Sequence, residues 1–208
     1  MDNRWRNLLI IALVIAIGAG VYFFVLNKGP SMPQPDTAGT DAKLDFVFAK
    51  HGAKRADFSG GLPVTLGEEE VDSKISASAL AGLGRDLNAL ARDAKSGREK
   101  ELVLIYARAA ELSQKKYDLL RQLQQLSSEI AGKEKEAACA YSARVDELNG
   151  RYTDFFISLT GLSLAEIDYS KKYGAEKPLG IGTDEERETM DSLAFLSELY
   201  SSCTGAEA

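Results

Sequence analysis

The sequence predicts a mainly α-helical protein in which an N-terminal single-pass transmembrane helix carries an extracytoplasmic antiparallel bundle of about four long helices. Three observations predict this class. Residues 7–26 form a run of twenty residues without a charged side chain. A proline-rich segment follows that run. From about residue 72 onward, apolar residues recur at alternating spacings of three and four, which is typical of helices that pack as in coiled coils.

The apolar run has the length of a membrane span. Twenty helical residues rise about 30 Å, which is the thickness of the hydrocarbon core of a bilayer. A cleaved signal peptide would have a shorter apolar core followed by small residues, whereas aromatic residues occupy that place here. Arg4 and Arg6 precede the run and only Lys28 follows it closely. The positive-inside rule therefore predicts a cytoplasmic stub of residues 1–6 and a C-terminal domain outside the cell membrane.

Three small residues inside the run lie four positions apart. Ala12, Ala16 and Gly20 form a row that could let two such helices pack closely, and we identify them as candidate packing residues. Small residues are also common in membrane helices, and this simpler interpretation is favoured.

Two segments connect the span to the bundle. Residues 27–42 hold three of the five prolines and are predicted to form a Pro-rich stalk. Residues 43–71 permit two interpretations. Leu44–Ala49 and Leu62–Leu66 have strand-like composition and could pair as a short β-hairpin, or the segment is irregular and lies over the bundle.

Residues 72–204 are predicted to form the bundle. A first helix runs from about residue 72 to residue 95, and a second begins near Arg98. Lys116 is the one polar exception in the apolar stripe of the second helix, where it would limit a coiled-coil dimer. The inward residues of that stripe are Leu102, Ile105, Ala109, Leu112, Leu119, Leu123, Leu126 and Ile130.

The stripe changes phase at Gly132. Either the second helix ends there and the chain turns back as a hairpin, or one helix continues with a stutter. The hairpin is favoured because glycine is unfavourable inside a helix and a single rod would be poorly covered. A third helix is predicted to end at Gly161, with Ser163 and Glu166 as the capping box of a short helix that follows. A last helix begins after a second capping box at residues 183–186 and reaches about Cys203.

The composition excludes some functions and leaves two. The net charge is −6, so nucleic acid is not a predicted partner. We predict no catalytic, metal-binding or cofactor-binding residues, because His51 is the only histidine and no acidic or cysteine cluster has ligand spacing. The chain is therefore predicted to be a non-enzymatic interaction or scaffold module that binds a protein partner or a second copy of itself.

The alternative function is a membrane-tethered ligand-sensing bundle that signals through a partner protein. The pocket of such a sensor would be formed by aromatic residues of the third helix, namely Tyr141, Tyr152, Phe155 and Phe156. Such residues are more often part of a core, and a stub of six residues cannot carry a signal into the cell alone.

The two cysteines are predicted to form a disulfide. If the third and last helices pack antiparallel, Cys139 and Cys203 lie about 3 Å apart in level along the bundle axis. Alanines around Cys139 permit the close approach that a disulfide requires, and an exterior location favours its formation.

Overall fold

The computed structural model describes residues 38–67, 71–131, 133 and 139–204. The mainly helical class is confirmed, since five α-helices and one two-stranded sheet make up these residues. In chain order they are α1 (Ala38–Lys50), β1 (Val64–Leu66), β2 (Val71–Ser73), α2 (Ala77–Arg92), α3 (Gly97–Ile130), α4 (Ser142–Tyr173) and α5 (Thr183–Thr204), with a short 3-10 helix at Arg55–Phe58.

The prediction of a strand at Leu44–Ala49 is wrong, because these residues belong to α1. Leu44 and Phe48 lie four positions apart and are both buried, whereas Phe46 between them is 72% exposed. This burial follows the period of a helix and not the alternation of a strand. Phe48 packs edge-on against Phe58 and Tyr106, with ring centroids 5.6 and 5.4 Å away. Residues 38–42, the last part of the predicted stalk, are also helical, so the prediction of a stalk is wrong for these residues.

A short hairpin precedes the bundle, but its strands differ in part from those predicted. Val64–Leu66 lies within the predicted second strand and pairs antiparallel with Val71–Ser73, with Thr65 opposite Asp72. Val64 is fully buried and Thr65 is exposed. The hairpin packs on α3.

Helices α2, α3 and α4 pack in sequence as antiparallel neighbours. Asn88 of α2 donates to Glu111 of α3, and Arg151 of α4 contacts Gln122 of α3. The predicted inward residues of α3 are buried, apart from Ile130, which is half-buried. Helix α3 ends at Ile130, so the hairpin interpretation is confirmed and the continuous rod is excluded.

Helix α4 continues through Gly161, so the predicted helix end there and the capping box after it are wrong. Ser163 and Glu166 are buried at 4% and 0% exposure because this face of the helix packs inward. The helix ends instead at Gly174, whose φ of 59° is the left-handed conformation that glycine adopts without strain. A segment of nine residues then leads into α5.

The predicted transmembrane helix and its candidate packing residues Ala12, Ala16 and Gly20 lie outside the described residues. Among the helices that are described, none combines the length and the apolar character that crossing a bilayer requires. The transmembrane span, the stub at residues 1–6 and the stalk up to residue 37 therefore stay predictions.

Candidate functional site

Lys116 and two carboxylates of α5 form a buried charged cluster. The ammonium of Lys116 donates to Glu185 Oε1 and to Glu188 Oε2, both at 2.6 Å. The side chains of Lys116 and Glu185 are only 2% and 6% exposed, and that of Glu188 is 29% exposed. Glu185 and Glu188 lie three positions apart, on one face of α5. That face therefore covers the charged residue that interrupts the apolar stripe of α3.

The same two carboxylates bind the hairpin region. The amide of Leu62 donates to Glu185 Oε2 and the amide of Leu66 to Glu188 Oε1, each at 3.1 Å. Gly61 permits this approach, because a Cβ there would lie 2.7 Å from Glu185 Oε2. Helix α5 is thus joined by charged groups both to α3 and to the chain around β1.

Groups of the protein itself provide the hydrogen bonds and the opposite charges that the buried side chains of this cluster require. Burial raises the pKa of the Glu185 carboxyl, and the Lys116 ammonium and the Leu62 amide oppose that shift. Removing one partner of a buried ion pair of this kind strongly lowers the stability of the fold, because the other charge is left buried and unpaired. Lys116 therefore lies inside the single chain, facing α5, and the sequence interpretation of it as a limit on dimer formation is wrong.

A second buried carboxylate binds the segment between α4 and α5. Glu166 Oε1 accepts hydrogen bonds from the amides of Leu179, at 2.5 Å, and Gly180, at 3.0 Å. Its Oε2 accepts a hydrogen bond from the amide of Ile181 at 3.2 Å. Burial raises the pKa of Glu166, and these three donors oppose the shift. The hydroxyl of Tyr106 donates to the carbonyl of Pro178 at 3.2 Å. Backbone groups of the connection between α4 and α5 therefore bind it to α4 and α3. The amides of its turn at Gly180 surround the carboxylate of Glu166.

A groove lies between β1, α3 and α5, directly beside the charged cluster. Its volume is about 570 Å³. Leu66 and Phe195, at 44% and 45% exposure, lie on its walls together with the buried Leu123. Glu188 and Asp191 supply its charged groups, and none of the described residues that line it is Lys, Arg or His. The groove thus combines an apolar surface with an acidic side.

The aromatic residues of the third helix are part of the core. Tyr152, Phe155 and Phe156 are 2%, 2% and 7% exposed. Among the described residues, none forms a hydrogen bond with the Tyr152 hydroxyl. This hydroxyl lies beside Ser192, and burial raises its pKa. Tyr141 is half-buried at the start of α4.

The packing of α4 on α5 brings the start of α4 and the last turn of α5 to the same end of the bundle. Glu166 lies level with Leu179, and Tyr152 lies near Ser192, so the two helices run antiparallel in one register. That register places Cys203, in the last turn of α5, level with the start of α4, which follows Cys139 by three residues. Cys139 is not a free thiol. The side chain of Cys203 is outside the described residues, so the Cys139–Cys203 pairing stays a prediction.

His51 contacts α2 at its surface. Its Nε2 lies 2.9 Å from Asp86 Oδ2, which also accepts from Lys50 at 2.7 Å. Gly82 makes room for the ring, since a Cβ there would lie 2.6 Å from His51 Cε1. These contacts attach the end of α1 to α2. Among the described Asp, Glu, His and Cys residues, no three gather in a group that could hold a metal ion.

Sequence reasoning missed the partners of Lys116 and the role of Glu166. The sequence places Glu185 inside the predicted capping box at residues 183–186 and Glu166 in the predicted capping box that begins at Ser163. A charged residue inside an apolar stripe was the available signal, because a buried ammonium requires an acidic partner. The sequence does not identify which of the many acids that partner is.

No protein-family model matches this chain, and comparisons with curated proteins and with solved structures gave no match.

Proposed function

We propose that this protein is a membrane-anchored, extracytoplasmic helical-bundle protein that acts as a non-enzymatic interaction or scaffold module. The groove between β1, α3 and α5 is the proposed contact surface. The observation that carries the proposal is the presence of two large, half-exposed apolar side chains, Leu66 and Phe195, on one concave surface. Exposed apolar patches bounded by polar groups are typical of protein contact surfaces.

The anchoring part of the proposal is supported by the sequence. The uncharged run of residues 7–26 has spanning length, and its flanking arginines favour a cytoplasmic N-terminus. The chain between the end of that run and the start of α1 is eleven residues long. At no more than about 3.6 Å per residue, this connection keeps the bundle within about 40 Å of the membrane.

A different protein fits the groove better than a second copy of this chain. A symmetric dimer would place one groove against the same groove of its partner. Glu188 and Asp191 of the two copies would then lie close together, and like charges across an interface are unfavourable. A contact with another protein avoids this repulsion.

The ligand-sensing alternative has less support. The aromatic residues invoked for its pocket are buried among the core side chains, as described above. A sensor would also require a protein that carries its signal across the membrane. This function stays a prediction without a supporting contact.

Site-specific crosslinking tests the proposal. A photoreactive phenylalanine is placed at position 195 of the full chain in the cells that normally make it, and the cells are then illuminated. We expect a discrete adduct with one protein. Ile157 is the matched control position, because it is apolar, 59% exposed and on a different helix, outside the groove.

The outcomes are distinct. An adduct at position 195 and not at position 157 supports the proposal. Equal adducts at the two positions, or none at either, overturn it. An adduct of twice the mass of the chain identifies a second copy and overturns the assignment of a different protein.

A further inference from the structure

The groove carries charge of one sign. Glu188, Asp191 and Phe195 lie at spacings of three and four along α5, so all three face the groove from one side of that helix. Helix α5 contains six acidic residues and a single basic one, Arg187. Arg187 is not among the residues that line the groove.

The two carboxylates of the groove differ in their contacts. Glu188 already accepts from Lys116 and from the amide of Leu66, so its charge is largely compensated within the protein. Asp191 is exposed, one turn further along α5 and beside the apolar surface of Phe195. A cationic side chain of a bound protein would therefore contact mainly Asp191. Apolar side chains of the same bound protein would contact Leu66 and Phe195.

From this geometry we infer that the partner presents a cationic, apolar segment to the groove: large apolar side chains with a lysine or arginine one helical turn away. The inference rests on the proposed function. Glu188 and Phe195 are seven residues apart, which is about 10.5 Å along α5. Two turns of a partner helix have the same length, so its positions i, i+3 or i+4, and i+7 match the groove. Complementary charge gives such a contact its orientation and its selectivity.

Two synthetic peptides test this inference on the purified full chain. Each has about 14 residues and a fluorescent label, and each places leucine on one face of a helix. One peptide has lysine beside the leucines, and the other has glutamate at the same positions. Fluorescence anisotropy measures their binding. We expect the lysine peptide to bind at least tenfold more tightly than the glutamate peptide, and added salt to reduce that difference.

Paired variants separate the groove from general attraction to an acidic protein. Phe195→Asp removes an apolar contact and adds a negative charge, and Ile157→Asp adds the same charge elsewhere. If the lysine peptide binds in the groove, Phe195→Asp should lower the affinity of the protein for it about tenfold. Ile157→Asp should leave that affinity unchanged or slightly higher. General attraction predicts that both variants strengthen binding. Circular dichroism confirms that each variant is folded, and Phe195→Ala provides a milder second change.

A second pair of variants tests the charge. Asp191→Asn should lower the affinity for the lysine peptide severalfold. Asp146→Asn, at an exposed position on α4, should leave that affinity unchanged. Equal binding of the two peptides, or equal effects within either pair of variants, would overturn the inference. If crosslinking at position 195 succeeds while the lysine peptide shows no preference, the proposed function stands and the cationic partner is wrong. If no position-specific adduct forms, the proposed function itself fails.

Discussion

Replacing Lys116 with methionine removes the cation from a buried cluster and retains most of the volume of its side chain. Glu185 is 6% exposed, and among the described residues the amide of Leu62 is then its one remaining hydrogen-bond donor. Glu188 is 29% exposed and can be solvated by water. Removal of one partner of a buried ion pair costs about 3–5 kcal/mol of unfolding free energy. Because Glu188 is partly exposed, we expect Lys116→Met to fall at the lower end of that range, at about 3 kcal/mol.

Chemical unfolding of the full chain in a mild detergent, followed by circular dichroism, measures this loss. Lys115→Met is the matched control, since Lys115 is exposed on the same helix, and it should change stability by about 0.5 kcal/mol or less. The double variant Lys116→Met with Glu185→Gln removes the uncompensated charge and keeps an oxygen for the Leu62 amide. It should recover at least half of the loss.

The pH dependence of the single variant follows from the Glu185 carboxyl. Burial already raises the pKa of this group above its unfolded value of about 4.3. Loss of the Lys116 ammonium raises the pKa of the folded state further. Protonated Glu185 stabilises the fold at pH values below the unfolded pKa, and this contribution is lost as the pH rises through the raised folded pKa. The deficit of Lys116→Met relative to the wild type should therefore be small near the unfolded pKa of about 4.3 and should grow as the pH rises through the raised folded pKa. A deficit below about 1 kcal/mol at pH 7, or one that does not vary with pH, would refute the reasoning.

Three further predictions concern other parts of the chain. Glu166→Ala removes the acceptor of three amides, of which those of Leu179 and Ile181 are buried, and should lower the unfolding free energy by about 2–4 kcal/mol, measured as above. A loss below about 1 kcal/mol would show that water replaces the carboxylate. A Cys139–Cys203 disulfide closes a loop of about 64 residues and should contribute on the order of 4 kcal/mol. Mass spectrometry of the unreduced chain should show that bond, and two free thiols would disprove it. A protease added to intact cells should cleave the stalk at residues 27–41, and cleavage only after the membrane is opened would reverse the predicted orientation.

The sequence predicts the long helices well because their burial is periodic. The apolar residues of α3 keep the spacing of a packed helix over its length, and those positions are buried in the structure. The turn after Ile130 was predictable because a charged stretch with a glycine interrupts that spacing. Propensity failed where packing overrode it. Leu44–Ala49 is rich in β-forming residues but buries Leu44 and Phe48 on one helical face, and Gly161 is exposed on α4, where a residue without a side chain is tolerated.

The candidate groove was not predictable from the sequence. Leu66 and Phe195 come from a strand and a helix that are more than 120 residues apart, and only the tertiary fold brings them together. A single exposed aromatic residue in a sequence has no distinguishing signal, since surface apolar residues are common.

The charged cluster also sets the order in which the chain can assemble. The Leu62 amide and its acceptor Glu185 are 123 residues apart, and Lys116 is 69 residues from the same carboxylate. On a chain that emerges from the ribosome with its N-terminus first, α3 and the hairpin are complete long before α5 exists. The Lys116 ammonium must then stay in water, and the apolar residues beside it cannot close over an unpaired charge. Docking of α5 is therefore the step that seals the bundle, and contacts of such long range make that step slow relative to the formation of the helices.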